Sequence, residues 1–287
     1  MHLAGGGSKG AAHIGVLKAL EEENIKIDYI SGTSSGSIIA TLYACGYSPD
    51  QIYRFFNAYC KYITDYDKRL SLKVINTMFT GKLSIKGLAK GDNLENLMRN
   101  FCIKKRLVDI SKVPMPLAIP TVDITTGRVV YFLNKTIEDT HKISLNNDDE
   151  IPLYMYSGSL PTIVRASCSF PGVFVPKIIN NMTLVDGGVR VNSPVTILKK
   201  MGADKVIVVK FDKANRHMEK SQNIVSIILR SFDIMSSQTT KEEIEYADYV
   251  ITPRFLTNVS LLDCSKNNML QIEGYKAAKD AIKNIKF

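Results

Sequence analysis

Apolar residues in the first part of the chain alternate between short unbroken runs and stretches with helical spacing. Met1 to Ala4 opens as a very short apolar strand, and Gly5-Gly6-Gly7-Ser8-Lys9-Gly10 follows as a loop. Ala11 to Glu22 then carries apolar residues at helical spacing and ends in acids near Asn24. Ile27-Asp28-Tyr29-Ile30 reads as a second buried strand and Ser37 to Cys45 as a buried helix. A strand, loop, helix, strand, turn, helix order is a βαβα unit. It predicts parallel strands with right-handed crossovers, and so an α/β fold with a mainly parallel central sheet flanked by helices.

Later patterning extends the same plan. Ser48-Pro49-Asp50-Gln51 has the residues of a helix start with a capping box, the helix running to about Tyr62. Asp92 to Met98 reads as another capped helix. Met115 to Asp123 and Arg128 to Leu133 form a strand pair. Pro161 to Cys168 is helix-like, and Leu184-Val185-Asp186-Gly187-Gly188 is a strand ending in an acid and two glycines. Asn192-Ser193-Pro194 caps a helix from Val195 to Met201, and Lys205 to Val209 is a buried strand. A last short strand, Tyr249-Val250-Ile251, lies between helices near Gln222–Gln238 and Asn267–Ile285. Asp65 to Gly91 mixes lysines with aliphatic residues; it is either a flap over a site or an ordinary pair of surface helices. Asn134 to Glu150 is polar and acidic, an exposed excursion. No linker-like break divides residues 1–287, which read as one domain.

Composition changes this picture little, but charge and cysteines narrow the partners. The chain has 287 residues and is 45% hydrophobic, enough for one large core. Its net charge is +9, from 37 Lys and Arg against 28 Asp and Glu. The basic residues are spread out and no nucleic-acid motif accompanies them, so nucleic acid is not an expected partner, whereas an anionic membrane surface is compatible. Cys45, Cys60, Cys102, Cys168 and Cys264 are scattered without a C-x-x-C pair, which predicts reduced thiols in a cytoplasmic protein. No run is long and apolar enough to cross a bilayer, and Met1-His2-Leu3 runs into glycines without a secretory pattern.

Gly32-Thr33-Ser34-Ser35-Gly36 is G-x-S-x-G between a strand and a helix, the context a nucleophile elbow needs. Glycines on both sides let the chain reverse, and the serine hydroxyl then sits at a helix N-terminus that favours negative charge. The same residues also fit a plain helix-capping turn. Gly5 to Gly10 fits G-x-G-x-x-G, with Asp28 near the spacing of a ribose-binding acid, which describes a dinucleotide site. Alternatively its amides form an oxyanion hole. Ser34 at the end of the next strand favours the second reading. A hydrolytic serine also needs a base. Of His2, His13, His141 and His217, only His217 follows Asp186, and it lies in a polar stretch; an acid, Asp186, is the better candidate. No histidines or cysteines have metal-ligand spacing.

Gly5–Gly10, Gly32–Gly36 and Asp186-Gly187-Gly188, with Arg165-Ala166-Ser167-Cys168-Ser169-Phe170-Pro171-Gly172 before the acid, occur in an order that resembles the patatin-like phospholipase family over most of the chain. The resemblance implies a single-domain, three-layer α/β sandwich. It implies Ser34 as nucleophile and Asp186 as its base, a dyad without histidine. Gly5, Gly6, Gly7, Ser8 and Gly10 would form the oxyanion loop, with Gly6, Gly7 and Ser8 as amide donors. Lys9, Gly32, Gly36, Gly187 and Gly188 support the motifs. Ala4 departs from the acid that many relatives carry before the loop. The implied activity is hydrolysis of phospholipid, lysophospholipid or other acyl esters through an acyl-enzyme, with no cofactor and no metal. Acyl transfer or thioester hydrolysis on the same fold, a nucleotide-binding protein and a non-catalytic lipid- or partner-binding regulator are the alternatives.

Overall fold

Side chains on the central strands point alternately into two separate cores, and this alternation sets the architecture. The computed structural model describes residues 1–62, 87–137, 151–211, 231, 234, 240–241, 243–255, 259 and 263–284. Its strands are β1 (His2–Leu3), β2 (Ile30–Gly32), β3 (Leu117–Asp123), β4 (Val129–Leu133), β5 (Leu153–Met155), β6 (Lys177–Ile179), β7 (Met182–Asp186), β8 (Ile207–Val209) and β9 (Tyr249–Ile251). They form one sheet in the order β5-β4-β3-β2-β1-β8-β9, with β7 on β3 and β6 on β7. Strands β9, β8, β1, β2 and β3 are mutually parallel; β4 runs against β3. Leu117, Ile119, Val130, Phe132, Ile207 and Val209 enter one core. Ala118, Tyr131, Leu133 and Val208, their neighbours in sequence, enter the other. That period of two requires cover on both faces of the sheet.

Helices α1 (Ala11–Glu22), α2 (Ser35–Ala44), α3 (Pro49–Tyr62), α4 (Asp92–Lys104), α5 (Leu160–Ser167) and α7 (Asn267–Ile282) contribute to the first core, and α6 (Val195–Lys200) to the second. The result is helix, sheet and helix in three layers, the expected fold class. The capping box is closed at α3: the Gln51 amide donates to Ser48 Oγ at 3.4 Å and the Ser48 amide to Gln51 Oε1 at 3.0 Å. Among the described residues no helix is long and apolar enough to cross a membrane.

Some expectations shift. Strand β2 spans Ile30–Gly32 rather than starting at Ile27, because Ser31 and Gly32, though not apolar, pair with β1 and are buried. Strands β5 and β6 are additional. The second is half of a hairpin whose turn, Asn180-Asn181, has φ of 48° and 65°. Cys45, Cys102 and Cys168 are buried free thiols, but Cys264 is disulfide-bonded, against the all-reduced expectation. Disulfide pairing depends on spatial approach, which sequence spacing does not reveal. The flap expected at Asp65–Gly91 lies outside the described residues up to position 86, as do most of Asn134–Glu150 and of the helix near Gln222–Gln238.

One feature of the sheet positions the site. The first half of β3 pairs with β2, Ile30 opposite Leu117 and Ser31 opposite Ala118. Its second half is taken over by β7 running the other way, with Thr121 opposite Asp186. The last residue of β7 is therefore delivered beside the C-terminal end of β2, where parallel α/β sheets place their ligand sites.

Candidate active site

Strand β2 ends at Gly32, α2 starts at Ser35, and Ser34 makes the turn between them with φ 52° and ψ −125°. A left-handed φ is costly for a residue with a Cβ and persists only where the surroundings enforce it. The enforcement is visible. The Ser34 amide donates to Ser167 Oγ at 3.1 Å, and its carbonyl accepts from the Ser37 amide at 2.8 Å and Ser37 Oγ at 2.6 Å. Gly32 and Gly36 permit the geometry by close approach. A Cβ on Gly32 would overlap the Gly36 carbonyl oxygen, and one on Gly36 would overlap the Leu3 carbonyl oxygen of β1. Ser34 is half-buried while its neighbours from Ile30 to Leu42 are buried, so the turn opens that one residue to solvent.

Asp186, 1% exposed, ends β7. Its Oδ1 accepts from the Gly188 amide at 2.8 Å, and its own amide donates to the Ser169 carbonyl at 3.1 Å. Burial pushes the carboxyl up from 3.8 to about 6, while the Ser34 hydroxyl and the Gly188 amide pull it the other way. Oδ2 nonetheless closes no hydrogen bond of ordinary geometry among the described residues. The Ser34 hydroxyl is thus close enough to affect the charge on Asp186 without being aligned on it. Gly187 is packed on β3, where a Cβ would lie 2.7 Å from the Pro120 carbonyl oxygen.

The glycine loop leaves the end of β1 and meets the same place: a Cβ on Gly5 would stand 3.0 Å from Ser34 Cβ. Gly7 to Gly10 form a single 3-10 turn leading into α1. The Gly5 amide donates to Asn192 Oδ1 at 3.0 Å, so it is engaged and not free to face a substrate oxygen. Gly10 is a packing position, where a Cβ would stand 3.0 Å from Ser35 Oγ. Among the described residues no hydrogen bond takes up the Gly6 or Gly7 amide. Ser8 is buried and Lys9 half-buried on the turn. Within the loop expected at the oxyanion hole, the Gly5 amide therefore has a different task, tying the loop to the segment that follows Asp186.

Neither described histidine is placed as a base. His13 Nε2 donates to the Ala4 carbonyl at 2.8 Å, and burial pushes its ring down to about 4. His2 Nε2 donates to the Asn192 carbonyl at 3.1 Å, its Nδ1 pairs with Ser31 Oγ at 2.8 Å, and burial pushes it down to about 3. Both rings are neutral near pH 7 and each donates to a backbone carbonyl, while His13 Nδ1 meets no hydrogen-bond partner among the described residues. His217 lies outside the described residues. Burial and the Asp186 charge push the nearby Cys168 thiol up, which makes it unreactive. Asp28, the acid a dinucleotide site would need, precedes β2 and pairs with Lys26 at 3.1 Å. It lies at the opposite end of the parallel strands from the glycine loop, so the two do not form one site.

Asn192 reads in the sequence as part of a helix cap, and Ser167 falls in the segment before the acid with no role of its own; only the tertiary contacts with Gly5 and Ser34 reveal what the two side chains hold.

A family model described as "Patatin-like phospholipase" matches residues 1–199. An uncharacterized NTE family protein of Mycobacterium tuberculosis is 25% identical over 207 residues, covering 72% of this chain and 47% of that protein. Lysophospholipase nte1 of Aspergillus fumigatus is 31% identical over 217 residues, covering 72% of this chain and 11% of that protein. The chain thus spans about half the length of the mycobacterial relative and a small part of the fungal one. Among solved structures, VipD from Legionella pneumophila superposes with a TM-score of 0.49 at 15% identity, covering 99% of this chain and 66% of that one. With a family model spanning more than half of its residues, the chain belongs to the patatin-like phospholipase family.

Proposed function

We propose that the protein is a serine hydrolase of lipid acyl esters that uses Ser34 and Asp186 as a catalytic dyad. The single observation carrying this reading is the pairing of an enforced serine elbow with a buried carboxyl, brought together from β2 and β7 by the split pairing of β3. Asp186, raised to about 6, is a stronger base than an ordinary aspartate and is still ionised near pH 7. Apo hydrogen bonds at such sites often tighten only when substrate binds, which accommodates the loose Ser34–Asp186 contact. Asp186 takes the Ser34 proton as Oγ attacks the ester carbonyl. The Gly6 and Gly7 amides receive the developing oxyanion, the alcohol departs with the proton, and water then hydrolyses the acyl-enzyme.

The substrate class follows from the family and from relatives named lysophospholipases: a phospholipid or lysophospholipid, met at an anionic surface that a net charge of +9 favours. A nucleotide site is disfavoured by the position of Asp28. The test is fatty-acid release from lysophosphatidylcholine by the wild type, Ser34→Ala and Asp186→Asn. The reading predicts release by the wild type and a loss of about 10³-fold or more in both variants. Retained turnover in Ser34→Ala would overturn it.

A further inference from the structure

Ser34 carries its strain on two backbone groups, and these are not held alike. Its carbonyl has two donors, the amide and the hydroxyl of Ser37, so either can be lost. Among the described residues its amide has one acceptor, Ser167 Oγ at 3.1 Å. Ser167 is fully buried at the end of α5, and its one hydroxyl proton is committed to the Pro120 carbonyl of β3 at 2.8 Å. That donation fixes the hydroxyl's rotor and aims a lone pair at the Ser34 amide.

The same short segment holds the acid, since the Ser169 carbonyl accepts from the Asp186 amide at 3.1 Å. Arg165, buried at 2% exposure, anchors this segment. Its Nη1 donates to Ser169 Oγ at 2.7 Å and its Nη2 to the Val175 carbonyl at 2.8 Å. Nε and Nη2 both donate to the Lys90 carbonyl.

We infer that Ser167 is a positioning residue for the nucleophile: its hydroxyl pins the Ser34 amide to β3, and with the Ser169 carbonyl it sets the spacing between Ser34 and Asp186. The inference rests on the reading of Ser34 as the nucleophile. Without the pin, Ser34 relaxes out of its left-handed conformation and Oγ turns away from Asp186, while Asp186 itself stays in place.

The experiment measures the labelling rate of Ser34 by a fluorophosphonate, ester kcat and KM, the pH profile and Tm. It compares the wild type, Ser167→Ala and Tyr47→Phe. Tyr47→Phe removes a hydroxyl donor to the Phe101 carbonyl, a 2.9 Å bond remote from the site, and reports the effect of stability alone. Ser167→Ala should slow labelling and kcat roughly ten- to a hundredfold. KM and the pH midpoint should stay unchanged, and Tyr47→Phe should label at the wild-type rate. Wild-type labelling in Ser167→Ala, or equal slowing in Tyr47→Phe, would overturn the inference and leave the hydrolase reading standing. A wild type inert to both probe and esters would overturn the hydrolase reading, and this inference with it. Should Ser167→Ala yield no folded protein, Ser167→Cys decides. Its weaker acceptor and donor should give slowed labelling, and the wild-type rate would refute the pin.

Discussion

Replacing Asp186 by Asn should abolish turnover and, near neutral pH, make the protein more stable. A carboxyl displaced from 3.8 to about 6 by burial makes ionisation about 3 kcal/mol costlier in the folded than in the unfolded chain. Asp186 is 1% exposed, so solvent screening does not reduce this figure. Between about pH 4 and pH 6 the folded chain holds a proton that the unfolded chain has lost. Stability therefore falls as pH rises through that window, and the loss is complete above about pH 7. Asn is neutral throughout, and its Oδ1 can still accept from the Gly188 amide, now at 2.8 Å from Asp186 Oδ1. Urea unfolding of both proteins at each pH from 4 to 8 measures the effect. The stability of the variant relative to wild type should rise by about 3 kcal/mol across that range. Over the same range wild-type kcat/KM should rise with a midpoint near 6, because the base must be ionised, and the variant should show little turnover at any pH. A difference between the two proteins that does not change with pH would refute the claim that Asp186 is a desolvated base. The pH slope is the diagnostic, since any unpaired hydrogen on the new amide shifts all points equally.

Gly36→Ala should cost about 1–3 kcal/mol or more, because its Cβ would meet the Leu3 carbonyl of β1 and a paired strand has little room to yield; thermal unfolding measures the loss. Asn192→Ala takes away the acceptor of the Gly5 amide, so the glycine loop loses its tie to the segment that follows Asp186. The expected outcome is a fall in kcat of up to about 10² with KM nearly unchanged, read from steady-state ester hydrolysis. Gly91→Ala forces a Cβ into a backbone with φ 75° and onto the Arg165 guanidinium. It should lower Tm and, by displacing the anchor of Ser167 and Ser169, slow ester turnover as well.

What could be read from the sequence was what is encoded locally. The periodicity of Ala11–Glu22 coincides with α1, and the capping box at Ser48 with the start of α3. Met115 to Asp123 reads as a strand and β3 occupies Leu117–Asp123, with Leu117 and Ile119 in one core and Ala118 in the other. Ser34 and Asp186 stand out as candidates because glycines lie on both sides of the first and directly after the second, and those glycines form a pattern. The split edge of β3, which brings the two side chains together, has no sequence signature, since strand order is a property of the whole sheet. The engaged Gly5 amide was missed for the same reason: its partner, Asn192, is 187 residues away. The Asn180-Asn181 turn of the β6–β7 hairpin was a legible signal, with asparagines where left-handed residues are needed. The exposure of Ile178, at 67%, hid the strand beside it from a search for buried runs.

The measurement that bears most directly on the account is peptide-resolved mass spectrometry of the protein after reaction with a fluorophosphonate, repeated from pH 4 to pH 8. A single adduct on Ser34 is expected, absent from Ser34→Ala, with a rate of formation that rises through about pH 6 as Asp186 ionises. An adduct on another residue, no adduct at all, or a Ser34 rate indifferent to both pH and Asp186→Asn would contradict it.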